Sequence, residues 1–267
     1  MVKFASAVFV APILISLLIL GCTQTPPPPV AQGAYFETVR EIILESKQES
    51  IEYLMTDEGL ILRKMRVGVA GTPNAETQVA IFRIGPAFAR AFLDDVKANA
   101  VPIHASCIPC VSHHLFYHDA DGTIAYEMPD ENASGFVKAL AGRMETLIEG
   151  AQKQETFFMA LVYSENSVIK DYHIFDDGTI IYEEFDMFSD KLTRAEISKM
   201  EPWELKAALP EAFFEGTPEF SCNSRAFGYG YVEAALADKY NFVYTCGNGP
   251  TQADKLFDRL LALVGNK

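Results

Sequence analysis

The stretch Asp176-Asp177-Gly178-Thr179-Ile180-Ile181-Tyr182-Glu183 joins two β-prone runs, with Ile174 and Phe175 before it and Ile180 to Tyr182 after the glycine. An Asp-Gly pair between such runs is a strong short-range sign of an antiparallel hairpin, because glycine takes the positive φ of a two-residue turn at little steric cost. The pattern recurs as Asp121-Gly122-Thr123-Ile124-Ala125-Tyr126-Glu127, and more loosely as Thr56-Asp57-Glu58-Gly59-Leu60-Ile61-Leu62. A chain punctuated in this way is expected to be rich in antiparallel sheet.

The turns belong to a longer repetition. Ala139 to Ile148 aligns with Lys255 to Val264, apolar position on apolar position and Arg143 on Arg259, at an offset of 255 − 139 = 116. Pro86 and Pro202 each open a helix-like run and lie 202 − 86 = 116 apart; Cys107 and Cys222 differ by 115, and Gly59 and Gly178 by 119. A turn glycine, a helix-opening proline and a cysteine thus recur in one order at nearly one spacing. This predicts an internal duplication, residues 34–150 and 151–267, with three residues lost from the second copy between the turn and the first helix.

Each copy reads in the same order. Tyr35 to Glu45 and Thr156 to Ser164 are β-prone; Ser50 to Met55 and Val168 to Phe175 lead into the glycine turns; Leu60 to Val67 and Thr179 to Phe185 leave them. Proline is tolerated in the first turn of a helix, so Pro86 and Pro202 are expected to open helices with one face at Phe88, Phe92 and Val96, or at Leu205 and Leu209. A second hairpin follows, Val111 to Met128 or Ala226 to Thr245 with its turn at Ala237-Asp238-Lys239, and an amphipathic helix over 133–149 or 251–264 closes the unit. Strand runs followed by helices predict an α+β fold: a small antiparallel sheet of about five strands with two helices per repeat, twice over.

Residues 168–265 show a D-G-T-[IV]-x-Tyr hairpin, a helix, the pair Phe213-Phe214, a cysteine, and a second hairpin ending near Cys246 and Gly249-Pro250, then a terminal helix. This resembles an uncharacterised domain of secreted and lipid-anchored prokaryotic proteins, a resemblance that implies location but no activity. The first copy departs from it, since Asp130 stands where Cys246 has its match.

Residues 1–21 read as a signal peptide: Lys3, then Phe4 to Leu20 without a charge, ending in Ile19-Leu20-Gly21-Cys22. Those last four residues resemble a lipobox, the site at which prokaryotic lipoprotein precursors are diacylated and cut. The resemblance implies that Cys22 carries palmitate-type chains and anchors the mature protein to the cell membrane or outer membrane, outside the cytoplasm. The alternative is an uncleaved spanning helix, for which about 18 apolar residues just suffice. Residues 22–33 then form the anchor and a linker, in which Pro26 to Pro29 make a stiff polyproline spacer. Formal charge is −14, and removing residues 1–21 takes away Lys3 and no acid, giving −15. Such an acidic chain is not expected to bind nucleic acid or to dock electrostatically on anionic lipid. The lipid itself is the expected membrane contact, and a protein or another envelope component the expected partner.

Four cysteines besides Cys22 form an even set in an oxidising compartment, where thiols tend to pair. Three connectivities are possible. A hairpin turning near Asp238 brings Cys222 and Cys246 together, leaving Cys107 with Cys110. The sharper alternative uses His104, Cys107, Cys110 and His113, spaced by three, as zinc or copper ligands, or Cys107 and Cys110 as a redox-active pair. Cys110, His114 and His118 share a strand face but lie about 13 Å apart pairwise at ~3.4 Å per residue, too far for one zinc. Val111 stands where a haem attachment motif needs histidine. Carboxylates near the hairpins, Asp119, Asp121, Glu127, Asp176, Asp177, Glu183, Glu184 and Asp186 among them, read as solvated turn formers. The sequence carries no Gly-x-Ser-x-Gly, P-loop, dinucleotide fingerprint or His-Glu-x-x-His. The expectation is a non-enzymatic binding or structural module of the cell envelope; the alternative is a thiol-redox or metal protein working through Cys107 and Cys110 with His104 and His113.

Overall fold

Gly178 holds φ at +80° and Gly59 at +88°, and both need it. The Gly178 carbonyl accepts a hydrogen bond from Met200 N and the Gly59 carbonyl one from Ile84 N, at 2.8 and 2.9 Å. A Cβ at either position would sit 1.9 Å from the Met200 oxygen or 2.2 Å from the Ile84 oxygen. Each glycine therefore clamps a hairpin to the strand end that leads into a helix. The connection holds three residues, Asp176-Asp177-Gly178, between Phe175 and Thr179, one more than a two-residue hairpin, with glycine in the left-handed position that closes it.

These turns sit in a computed structural model that describes residues 33–44, 47–69, 76–99, 111–129, 133–188, 191–217, 230–245 and 251–265. The first sheet contains β1 (Tyr35–Leu44), β2 (Lys47–Thr56), β3 (Leu60–Val69), β4 (Glu76–Arg83), β5 (Val111–Asp119), β6 (Gly122–Pro129) and β7 (Gln152–Lys153), in the order β6-β5-β1-β2-β3-β4-β7. The second contains β8 (Phe157–Glu165), β9 (Val168–Phe175), β10 (Thr179–Asp186), β11 (Lys191–Lys199), β12 (Gly230–Leu236) and β13 (Lys239–Tyr244), in the order β11-β10-β9-β8-β12-β13. All their pairings are antiparallel. From the β13 edge inward, the second sheet runs β13-β12-β8-β9-β10-β11, so every strand from β1 to β6 has a strand of matching sequence order at the same place.

The fold is α+β in four layers. Between the sheets, Tyr35, Leu54, Leu60, Leu62 and Ile81 pack on Phe158, Ala160, Phe175, Ile181 and Ala235. The outer face of the first sheet is covered by α1 (Pro86–Asn99) and α2 (Gly135–Glu149), through Ala89, Phe92, Leu93 and Val96 and through Val137, Leu140, Met144 and Ile148. The outer face of the second is covered by α3 (Trp203–Ala208), α4 (Glu211–Phe214) and α5 (Gln252–Gly265). Side-chain periods of two in the strands and 3.6 in the helices make both faces of each sheet apolar, which is how a sheet covered on both sides must read. Local chemistry starts the helices: Pro86 occupies a first helical position, the Ser134 hydroxyl accepts from Val137 N, and Thr251 and Asp254 cap each other at 3.1 and 3.2 Å.

Three expectations need correction. Each sheet has six main strands instead of about five, because β4 and β11 add a fourth strand to each meander, and Lys153 and Gln152 extend the first sheet beyond β4. Among its described residues the second half carries three helices instead of two: Pro210 cannot continue a helix and holds Leu209 extended at ψ 108°, so α3 stops after six residues and α4 restarts. Glu183 lies in β10 at 3% exposure, so it is no solvated turn residue. Among the described residues no helix is long and apolar enough to cross a membrane.

Candidate functional site

Only part of the inter-sheet space is apolar. Continuing past Leu62 and Leu54 at period two, β3 and β2 bring Lys64, Arg66 and Glu52 to the inner face of the first sheet, and β1 brings Glu37 beyond Tyr35. Opposite them, β9, β10 and β12 present Asp171 and His173, Glu183, and Tyr231 and Glu233. The contacts run from sheet to sheet. Lys64 Nζ lies 3.0 Å from Glu233 Oε1 and 3.3 Å from Glu52 Oε2, Arg66 lies 4.0 Å from Glu233, and the Tyr35 hydroxyl donates to Glu183 Oε1.

This environment moves protonation equilibria. Burial raises the Glu183 carboxyl to about 7 against the pull of His173. Burial, with Glu52 and Glu183 nearby, raises Glu37 well above the carboxylate range. Burial draws His173 down, but Asp171, Glu37 and Glu183 together outweigh it and raise the imidazole to about 10. Burial depresses Lys64, yet Glu233 and Glu52 hold it well above its ordinary value, so it stays a cation. Burial and Glu183 together raise the Tyr35 phenol, which remains a hydrogen-bond donor.

Within this network Asp171, His173 and Glu183 each bring one donor atom to a common place, all within 4.8 Å of one another. His173 Nε2 lies 3.2 Å from Asp171 Oδ1. His173 Nδ1 is buried without a hydrogen-bond partner, and so is Glu233 Oε1 beside Lys64. The chemistry on offer is cation binding or proton sharing, since two carboxylates and a basic imidazole converge where little water reaches.

Sequence reasoning placed its candidate ligands elsewhere. His113 is on β5 at 3% exposure, on the same strand face as Leu115 and Tyr117, which pack under α1 and α2, so it faces away from the inter-sheet cluster. His104, Cys107, Cys110, Cys222, Cys246 and Cys22 lie outside the described residues. Asp119 and Asp121 hold Lys97 of α1 at 2.6 Å each, a tie between helix and hairpin. The signal that was missed is Asp171-x-His173: two ionisable residues at period two in a strand, on the inward face shared with Phe175.

A second feature lies at the turn end. Asp176, Asp177, Lys199, Met200, Glu201, Pro202, Trp203 and Lys206 line a cleft of about 600 Å³. Trp203 stands at its rim with 62% of its surface exposed. Lys206 pairs with Asp176, and Lys199 lies 3.2 Å from Asp177, so the cleft offers both signs of charge beside an indole. Comparison with protein-family models, curated proteins and solved structures found no match for this chain.

Proposed function

We propose that this chain is a lipid-anchored, extracytoplasmic and non-enzymatic binding module of the cell envelope, taking its partner at the cleft beside Trp203. The lipobox-like Ile19-Leu20-Gly21-Cys22 and the proline spacer support the anchor, which places the body at a distance from the membrane. The body is read as a tandem duplication of residues 34–150 and 151–267. Matching strand orders, the paired glycine clamps and one numerical detail support it: the clamped residues Ile84 and Met200 are 116 apart while Gly59 and Gly178 are 119 apart, so the three-residue loss falls in the hairpin between them.

The observation that carries the binding reading is the exposure of Trp203 at the rim of a concave, mixed-charge surface. Indoles dominate contact energies where they are desolvated by a partner, and leaving one in water forgoes that gain. The partner fitting this surface offers an apolar group to the indole and hydrogen-bonding or charged groups to Lys199, Asp176 and Lys206. Trp203 is the chain's single tryptophan, so its fluorescence reports the cleft directly.

The test installs a photo-crosslinking residue at position 203 in cells, with position 188 as control because Phe188 is 84% exposed outside the cleft. Discrete adducts are expected from 203 and not from 188, and Trp203→Ala should reduce binding to the partner so identified by about 30-fold, the scale of an interface anchor. Equal adducts from both positions, or full binding by Trp203→Ala, overturn the reading. Cys22→Ser tests the anchor separately: metabolic labelling with a fatty-acid analogue should mark the wild type and not the variant, and an unlabelled wild type defeats the lipoprotein assignment.

A further inference from the structure

We propose that Asp171, His173 and Glu183 bind one divalent transition-metal ion, Zn²⁺ or Mn²⁺, between the two sheets. The first support is geometric. The three donor atoms lie within 4.8 Å of one another, whereas an ion with bonds of ~2.0–2.1 Å in tetrahedral geometry wants its donors about 3.3 Å apart. Side-chain rotation of a glutamate covers that difference. One imidazole with two carboxylates suits zinc or manganese; with no thiolate in the triad it does not suit copper(I), and the nitrogen donor disfavours calcium.

The second support is an unmet requirement. His173 is 8% exposed, its Nδ1 finds no hydrogen-bond partner, and Asp171 Oδ1 makes no hydrogen bond of good geometry although His173 lies beside it. Buried polar atoms of native proteins are satisfied by protein, water or an ion, and an unpaired imidazole nitrogen next to an unpaired carboxylate oxygen offers lone pairs to a cation.

Composition gives the third. Five acidic side chains, Glu37, Glu52, Asp171, Glu183 and Glu233, share this space with two basic ones, Lys64 and Arg66, besides the imidazole that would ligate, so a bound cation suits an acidic cluster.

The comparison of the two sheets makes the same point from another side. By strand order and the 119-residue offset of the turn glycines, the places of Asp171, His173 and Glu183 correspond to Glu52, Leu54 and Lys64 in the first sheet. There the acid is closed internally, Lys64 Nζ lying 3.3 Å from Glu52. In the second sheet the lysine's place is taken by Glu183 and the leucine's by His173, so the internal cation has become a ligand and a nitrogen donor has been added. Tyr35 donates to Glu183 from the opposite sheet and orients it, and the Asp171 side chain, 18% exposed, gives the ion a route from solvent.

The test uses the full-length chain in detergent, stripped with a chelator and titrated with Zn²⁺ and with Mn²⁺ by calorimetry, with Co²⁺ absorption as a spectroscopic readout. One equivalent is expected for the wild type, with a rise in Tm on binding. His173→Leu, which installs the residue found at the matching place in the first sheet, and Glu183→Gln should each weaken binding by more than about 100-fold, and Tyr35→Phe by about 10-fold as an outer partner. If the ligand variants do not fold, the Co²⁺ spectrum of the wild type and the Tyr35→Phe titration decide. Substoichiometric uptake by the stripped wild type, unchanged affinity in His173→Leu, or loss of binding in Cys107→Ser/Cys110→Ser overturns the assignment.

Discussion

Arg83 Nη2 lies 2.5 Å from Asp177 Oδ2, and the pair crosses from the first half of the chain to the second. Its mirror is Lys199 with Glu58 at 2.8 Å. Lys199 follows Arg83 by 116 residues and Asp177 follows Glu58 by 119, the same two offsets that relate the helix prolines and the turn glycines. Each half thus reaches with the end of its fourth strand to the glycine turn of the other, and the sandwich is closed at this end by two equivalent ion pairs.

Asp177 makes the first pair pH-dependent. Burial would raise its carboxyl, but hydrogen bonds from Thr179 and Arg83 lower it from 3.8 to about 2. A carboxyl depressed in the folded state stabilises the fold above its unfolded pKa, so the contribution is complete above about pH 4 and lost as pH falls toward 2. It should amount to about 2 kcal/mol. Denaturant titrations across that window should show Asp177→Asn destabilised at neutral pH and converging on the wild type near pH 2; a constant difference between the two proteins counts against the pair.

The clamp glycines should be nearly irreplaceable. Ala at 59 or 178 puts a Cβ 2.2 or 1.9 Å from a carbonyl oxygen at φ +88° or +80°, and the contact is to backbone that holds the strand end in place. Each substitution should cost about 3 kcal/mol or more. Gly122 also has positive φ, +133°, yet nothing lies within 4 Å of its Cβ position, so Gly122→Ala should cost only about 1–2 kcal/mol of conformational strain. Comparable losses at all three positions, read from thermal or urea unfolding, contradict the clamp.

Lys64 carries a larger load than its single charge suggests. Its side chain is 14% exposed, and it stands between Glu233, 2% exposed, and Glu52. Lys64→Met leaves a buried carboxylate with only Arg66 at 4.0 Å, and should cost about 3–5 kcal/mol. Adding Glu233→Gln removes the stranded charge and should return most of that loss. A double-mutant cycle measures the coupling, and additive losses contradict the buried pairing.

Much of the architecture was legible because glycine and proline act locally. Gly59, Gly122 and Gly178 mark hairpins and Pro86 a helix start, and the repeat spacing agrees with the strand order that the two sheets share. The misses have a common physical origin in contacts between distant segments. β4 and β11 expose Gln78, Arg194, Glu196 and Ser198 between their inward residues, so as polar outer strands they do not declare themselves until a sheet edge is there to pair with. Pro210 could have been read as ending α3, since a residue before proline avoids the helical region. Asp171, His173 and Glu183 were hidden differently. Acids close to an Asp-Gly turn are usually solvated, and only the first sheet, laid over these strands, buries them. Yet Ile174 and Phe175 point to opposite faces of β9 and both are buried, so this end of the strand is covered on two sides, and His173, on the face of Phe175, had to be inside.

The cysteines give the last prediction. In the β12–β13 hairpin Thr245 N donates to Gly230 O at 2.9 Å, so the two strand ends meet; in sequence Cys246 follows Thr245 directly and Cys222 precedes Gly230 by eight residues. A bridge between them encloses 246 − 222 + 1 = 25 residues. Restricting the unfolded chain over such a loop should stabilise by about 3 kcal/mol. Cys107 and Cys110 enclose almost nothing, so Cys107→Ser/Cys110→Ser should leave stability within about 0.5 kcal/mol of the wild type, whereas Cys222→Ser/Cys246→Ser should show nearly the whole effect of reduction. Peptide mapping of the non-reduced protein identifies the pairs, and unfolding of both double variants with and without reductant measures them. A mapped Cys107–Cys222 or Cys110–Cys246 link would tie the two halves covalently and overturn the assignment, and reduction that leaves Tm unchanged would remove the bridge from the account of stability.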